Sequence, residues 1–288
     1  MAKGIREMRR RIQSVSSTEQ ITKTMQMVSA AKLRRAETVA YQARDYTDAV
    51  ISVVNRVLSQ IDPIDIPHPF LEKREGGKTA IVAITSDRGL CGAFNGNLVR
   101  AALEEYEKEK DNGASILMLG NRGVDSLRRL NIPMLHEGRD VGDMANVLTL
   151  RQITPIIERL WREEGYGQLK VVYAYHTTAI SYDVRVLDIL PFVNAEKDDK
   201  TSDQYLFEPG AEAVVSSLLP SYLEASLFKA LLETKASEHG ARMAAMDNAS
   251  RNAADMIKRL TLEMNSLRQT AITNELLEII NGAEALKG

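Results

Sequence analysis

Chemistry in this sequence is concentrated, if anywhere, between Ser86 and Gly96 (SDRGLCGAFNG), where a carboxylate, a guanidinium, the single cysteine and three glycines follow a short apolar run. A glycine-rich turn from strand to helix points backbone N–H groups at an anion, and phosphates bind at such turns in parallel α/β sheets. The spacing here is G-x-x-G-x-x-x-G, through Gly89, Gly92 and Gly96. It lacks the Gly-Lys-Ser/Thr ending of a P-loop and the G-x-G-x-x-G of a dinucleotide site. The next apolar run ends Met118-Leu119-Gly120-Asn121, with no acid to hold a ribose. Cys91 has no histidine and acid placed around it in a nucleophile signature, which favours a packed thiol. Asp87 and Arg88 then solvate or cap the loop, or form a contact surface. His68, His136, His176 and His239 share no metal-ligand spacing, and a single cysteine rules out an internal disulfide. No catalytic residue, cofactor or metal is expected.

The elements that would position this loop are those of an α/β domain. Thr79 to Thr85 (TAIVAIT) is a short apolar run followed by turn residues, the pattern of a strand buried on both faces. A helix follows over Asn97 to Lys110, a second buried strand over Ser115 to Leu119, and a short helix through Leu130. Leu150 to Glu164 predicts another helix, and Gln168–Thr177 with Asp183–Leu190 predict a hairpin. Strands alternating with helices imply a mainly parallel sheet with an antiparallel edge. Asp62-Pro63, Pro67 and Pro69 form a stiff linker before it, ended by Gly76-Gly77, and the charged stretch Ala195 to Asp203 is a loop.

Two long helices bracket this domain. At the C-terminal end, Ala253, Ile257, Leu260, Met264, Leu267 and Ala271 recur in steps of four and three, resuming at Leu276, Ile279, Ala283 and Leu286, the narrow seam of a coiled coil. Pro220 marks the expected start of this helix, since its fixed φ and missing N–H are harmless at a first helical position. At the other end the same alternation runs through Ile5, Met8, Ile12 and Val15, then Met25 and Val28, then Ala36, Val39, Ala43, Tyr46, Val50, Val53 and Val57. Paired antiparallel, the first helix runs out before the second, leaving a tail of roughly 10 residues. That tail holds Leu276, Leu277, Ile279, Ile280 and Leu286, and uncovered apolar surface of this kind marks a partner. The expected fold is therefore α/β, a long antiparallel coiled coil of N- and C-terminal helices plus a central Rossmann-like domain. Its parts are an N-terminal helix over 1–60, a linker over 61–77, the α/β domain over 78–204 and a C-terminal helix over 205–288.

Charge narrows the partners. With 37 basic and 39 acidic residues the chain is nearly neutral, but its first 35 residues carry nine Lys and Arg against Glu7 and Glu19. The heptad pattern runs through this basic stretch without a cleavage-like break, unlike a transit peptide. No aromatics interleave with the charges, unlike a nucleic-acid surface. A basic collar facing an acidic protein surface remains. No apolar run approaches the roughly 18 residues of a membrane span, so a soluble, intracellular chain is expected, with any membrane association through other subunits.

The segment Ile21 to Ala36 (ITKTMQMVSAAKLRRA), the loop Ser86 to Asn95, Tyr205 to Pro209 (YLFEP), Ser237-Glu238-His239 with Arg242 to Ala249, and Arg268 to Glu275 (RQTAITNE) together resemble the gamma subunits of F-type ATP synthases. The resemblance runs through the whole chain in order. Gly240 departs from it, standing where that family usually has a small helix former, which would soften the helix locally. What the resemblance implies is a non-catalytic central shaft inside a hexamer of alpha and beta subunits, with the α/β domain against the epsilon subunit and the c ring. It also implies one copy per complex, at the cytoplasmic face of a bacterial plasma membrane. Met25, Lys32, Arg34, Arg35, Arg88, Cys91, Arg268, Gln269, Thr273 and Glu275 would contact beta subunits, and Tyr205 and Glu208 the c ring. From periodicity alone, Arg268, Gln269 and Glu275 are solvated helix positions and Met25 is plain core.

Two other classes fit the pattern before the resemblance is weighed: a nucleotide-dependent enzyme with a coiled-coil arm, and a self-associating scaffold. Calorimetric titration of the isolated chain with ATP or a dinucleotide is expected to show no binding. Saturation at micromolar ligand would restore the enzyme reading.

Overall fold

A computed structural model describes residues 2–61, 66, 68–72, 74, 76–192 and 207–285; Tyr205, Leu286 and the charged loop at 195–203 lie outside this set. Two long helices, α1 (Ala2–Ser59) and α6 (Ala211–Ala285), flank β1 (Lys78–Ile84), α2 (Phe94–Glu109), β2 (Ser115–Leu119), α3 (Asn121–Arg129), β3 (Met134–Gly138), α4 (Val147–Arg151), α5 (Thr154–Glu163), β4 (Tyr166–Thr178) and β5 (Ser181–Leu190). The chain divides into two compact units, one of residues 1–29 with 243–288 and one of residues 30–242.

The larger unit is built on a five-stranded sheet ordered β3-β2-β1-β4-β5, parallel throughout except for the antiparallel β4–β5 hairpin. Successive side chains of β1 point to opposite faces, and both faces are covered, which is why Thr79 to Thr85 shows no polar alternation. Ala80, Val82 and Ile84 face a core shared with α5, the end of α1 and the beginning of α6, where Trp161, Val54, Leu223 and Leu227 are buried. Ile81 and Ala83 face α2 and α3, against Phe94, Leu98, Val124 and Leu127.

Three differences from the sequence pattern have physical causes. The expected helix over Leu150 to Glu164 is two helices, because Pro155 lacks the N–H that would bond the Arg151 carbonyl, and the chain turns at Gln152-Ile153 instead. Helix α6 begins at Ala211, so Pro220 lies inside it rather than at its start. An interior proline costs about 3 kcal/mol. The turns before it bury Val215 and Leu219, each 1% exposed, which contributes roughly 1.5–3 kcal/mol apiece and offsets that cost. The edge strand β3 has no counterpart in the sequence reading; Met-Leu-His-Glu-Gly is neither alternating nor rich in β-branched residues.

Within this unit the seam of α1 departs from the apolar reading. Ala36 and Val57 are buried as expected, but Tyr46 is 66% and Val53 47% exposed while Thr47 and Val54, one residue later, are each 1% exposed. The same slip occurs in the smaller unit, where Val28 is exposed and Ser29 buried. Polar residues hold seam positions because their hydroxyls are satisfied within the helix. Thr22 donates to the Thr18 carbonyl (3.0 Å), Ser29 to Met25 (2.7 Å) and Thr47 to Arg44 (3.1 Å).

In the smaller unit the two helices pack as an antiparallel pair. Ile5, Met8, Ile12 and Val15 are half-buried on one side, with Ala253, Ile257, Leu260, Met264 and Ala271 on the other. Gln26 donates to Asp247 across the pair at 3.0 Å. Facing residues in antiparallel helices of equal rise keep a constant sum of residue numbers, and this bond sets Ala271 opposite the start of α1. Ala271 is 8% exposed, whereas Ile272, Leu276, Leu277, Ile279 and Ile280 are 46–67% exposed.

Gly240 has a packing role in the larger unit rather than a softening one: a Cβ there would sit 2.7 Å from the Ala179 carbonyl oxygen at the tip of the β4–β5 hairpin. Helix propensity alone makes Gly240→Ala stabilising by about 1 kcal/mol. The clash with backbone predicts net destabilisation of about 1–3 kcal/mol in denaturant titrations, and a stabilised variant would show that the contact is absent.

Candidate functional site

The loop after β1 is ordered from within by short polar side chains. Ser86 donates its N–H (3.0 Å) and Oγ–H (2.9 Å) to Asn95 Oδ1, and Asn95 Nδ2 donates to the Cys91 thiol at 3.2 Å. Cys91 is 3% exposed. Burial pushes its thiol above the ordinary range, partly countered by the nearby Arg242 charge, so the neutral, unreactive form is held.

The anion position at the start of α3 is filled by the protein itself. Asp87 accepts from the Asn121 N–H (3.0 Å) through one carboxylate oxygen and from the Gly142 N–H (2.8 Å) through the other. Asp87 therefore caps α3, the structural role its residue type allows. Gly120 and Gly123 leave no phosphate cradle. Their missing Cβ atoms are needed by Thr85, whose backbone oxygen would lie 2.4 Å from a Cβ on Gly120 and whose hydroxyl would lie 2.6 Å from one on Gly123. Sheets of this strand order bind ligands beyond the carboxyl ends of the strands where the order reverses, here between β1 and β4. Helix α6 occupies that crevice. Thr234 Oγ accepts from the Ala174 N–H (3.2 Å), Ser237 donates to the Ala174 carbonyl (3.2 Å), and Glu233 accepts from the His176 N–H (3.1 Å).

One turn further along α6 lies a buried charge cluster that the sequence reading quoted in part but gave no role. Glu238, 2% exposed, pairs with the buried Lys235 at 3.1 Å and with Arg242 at 2.8 Å. The Arg242 guanidinium also donates to the carbonyls of Gly89 (3.2 Å) and Arg88 (3.3 Å) and to His239 Nδ1 (3.3 Å). His239 Nε2 lies 2.8 Å from the Asp143 carbonyl, which only accepts, so the proton is on Nε2 and the ring is neutral. The Asp143 carboxylate in turn binds Lys32 of α1 at 2.6 Å, and that ammonium holds it below the usual carboxylate range. The sequence signal was present: Lys235, Glu238 and Arg242 stand at i, i+3 and i+7, one side of a helix.

Of the sequence-predicted contact residues, this cluster brings together Lys32, Arg88 and Cys91. Arg34 and Arg35 are exposed on α1, and Glu208 is exposed in the turn before α6. In the smaller unit Met25 is half-buried in the seam, while Arg268, Gln269, Thr273 and Glu275 are exposed. Among the described residues no group of histidine, cysteine and carboxylate side chains could hold a metal ion, and no helix is long and apolar enough to cross a membrane.

The smaller unit is an antiparallel helix pair, and the larger is a mixed α/β sheet whose crevice is filled by its own helix. The family model described as ATP synthase matches residues 4–286. The ATP synthase gamma chains of Moorella thermoacetica and Brevibacillus brevis are each 41% identical, over 98–99% of this chain and 99% of theirs. A solved structure of the Tetrahymena thermophila mitochondrial ATP synthase central stalk and c-ring matches with TM-score 0.59 and 26% identity, covering 80% of this chain and 99% of that one. One of the Euglena gracilis enzyme, with OSCP, F1 and c-ring, matches with TM-score 0.71, 20% identity and 99% and 95% coverage, and supports the fold. The chain belongs to the ATP synthase gamma chain family.

Burial holds His239 below its ordinary 6.5. Between the two values the unfolded chain binds a proton that the folded chain does not, so the contribution is complete above pH 6.5 and is lost as pH falls toward the folded value. Thermal melts from pH 7.5 down to pH 5.5 are expected to fall, and His239→Gln, which removes the proton site, to flatten the fall. An unchanged slope in the variant would assign the dependence to His68 and His136, which burial also lowers.

Proposed function

We propose that this chain is the central rotor shaft of an F-type ATP synthase, carrying torque between a membrane c ring and a catalytic hexamer of alpha and beta subunits. Ion flow turns the ring, the ring and epsilon subunit turn the α/β unit, and the paired helices carry the rotation into the hexamer. The names of the relatives support this reading. The observation that carries it is the end of α6, where Ile272, Leu276, Leu277, Ile279 and Ile280 are exposed beyond Ala271. An apolar helix end in water marks a partner, and a sleeve of apolar residues inside a ring would cover it.

Two different helices cannot present a threefold-symmetric surface, so each beta subunit meets a different face and is held in a different state. The exposed Arg34, Arg35 and Arg88 and the half-buried Lys32, with Arg268, Gln269, Thr273 and Glu275, supply the polar contacts to the beta subunits; Met25 and Cys91 shape the surfaces that present them. Glu208 and Tyr205 meet the c ring. Nucleotide binding and bond cleavage belong to the beta subunits, and the chain itself has no active site. The complex sits as a peripheral assembly on the cytoplasmic face of a bacterial membrane.

Mixing the chain with alpha and beta subunits is expected to give a stable complex with steady ATP turnover; a discrete homodimer and no turnover would contradict the proposal. Ending the chain after Ala271 is expected to weaken seating in the hexamer at least tenfold, about 1.4 kcal/mol, with the melting temperature of the free chain unchanged. Equal loss of both would show that the tip belongs to the fold.

A further inference from the structure

Arg242 is the one charged side chain of α6 that touches the backbone of the Ser86–Asn95 loop in the contacts described above. Its guanidinium divides its donors among the Arg88 carbonyl, the Gly89 carbonyl, Glu238 and His239. The two carbonyls belong to the turn whose exposed side chains are Arg88 and Leu90, the latter at φ 64°. Left-handed backbone at a leucine is strained and persists only where surrounding structure imposes it. Hydrogen bonds inside the loop hold its base, through Ser86 and Asn95, and its far side, where the Phe94 N–H donates to the Cys91 carbonyl at 3.3 Å. At the tip, the Arg88 carbonyl accepts both from Ser86 Oγ (2.6 Å) and from Arg242 (3.3 Å), and the Gly89 carbonyl accepts from Arg242 of α6.

We infer that Arg242 is a positioning residue: by holding the Gly89 carbonyl, and the Arg88 carbonyl together with Ser86, it fixes the tip conformation in which the loop presents Arg88 while this part of α6 is seated against the sheet. Glu238 orients the guanidinium, and Lys235 balances Glu238 so that the carboxylate stays buried when Arg242 lets go. The planar fork is required because a lysine ammonium at this position could satisfy Glu238 or a carbonyl, but not both carbonyls, the carboxylate and the imidazole together. The consequence for coupling rests on the rotor reading; the consequence for loop order does not.

The test is hydrogen exchange on the chain assembled with alpha and beta subunits, comparing wild type, Arg242→Gln and Arg242→Lys. Exchange at the Ser86 and Phe94 amides is expected to rise on the order of tenfold in both variants, as loss of one or two hydrogen bonds gives, while β1 amides stay protected. Lys235 still pairs with Glu238 in either variant, and Arg242→Lys keeps the charge, so a folded variant is available. Wild-type protection in Arg242→Gln would overturn the inference. So would full protection in Arg242→Lys, which would reduce Arg242 to a counter-charge for Glu238. ATP turnover of Arg242→Gln, Arg88→Ala and the double variant completes the test. The double variant is expected to be no slower than the slower single one, and additive losses would show that Arg242 does not act through Arg88. A loosened loop with normal turnover in Arg88→Ala would leave the positioning role intact and count against the beta-subunit contact.

Discussion

The structure depends on a shortfall in pairing. Strand β4 continues to Thr178, but β1 accompanies it only as far as Val172, opposite Ala83. Beyond that point the backbone of Ala174 is buried and that of His176 partly buried, and an unpaired buried group costs about 1–3 kcal/mol. Thr234, Ser237 and Glu233 of α6 complete those bonds. A long helix is thereby fixed to the sheet in one register, by directional contacts as well as by the apolar packing of Leu223, Leu227 and Leu231.

That attachment explains why a Rossmann-like sheet here has no room for the ligand such sheets hold. The crevice at the reversal of strand order contains a helix, and the helix N-terminus beside it is capped by Asp87. The same arrangement accounts for eleven consecutive buried residues, Ala230 to Gly240, in a helix that elsewhere is amphipathic. Four of them, Glu233, Lys235, Glu238 and His239, are charged or titratable, and the last three form with Arg242 a network that is closed by Asp143 and Lys32. Burying such a network is costly unless every member finds a partner, and removal of one leaves the others exposed to the full penalty.

Much of this was legible in the sequence and some was not, for reasons that differ by residue. Thr79 to Thr85 announced a strand covered on both faces, and the steps of four and three from Ala253 to Ala271 announced a coil, although Leu267 at one of those steps is exposed. Hidden were positions where a polar residue does an apolar residue's job. Thr22, Ser29 and Thr47 enter the seam because their hydroxyls bond the preceding turn, so a pattern read on apolar residues drifted to Val28, Tyr46 and Val53. Pro220 misled because proline is a good first residue, and nothing local reveals that Val215 and Leu219 before it reach a distant core. Gly240 owes its place to Ala179, some sixty residues away. The loop at Ser86 was found as a motif, but its fastening to Arg242 is a tertiary fact.

The central claim is that the two ends of the chain lie side by side in opposite directions, with the second running past the first. Spin labels at Glu7→Cys and Ser266→Cys, two exposed positions that the Gln26–Asp247 bond sets opposite one another, test it by pulsed dipolar spectroscopy. The buried Cys91 thiol leaves the labelling specific. Helix axes roughly 8–10 Å apart with a label on each predict one narrow distance near about 2 nm. A broad distribution, or a distance beyond about 4 nm, would mean that the termini are not paired in this register.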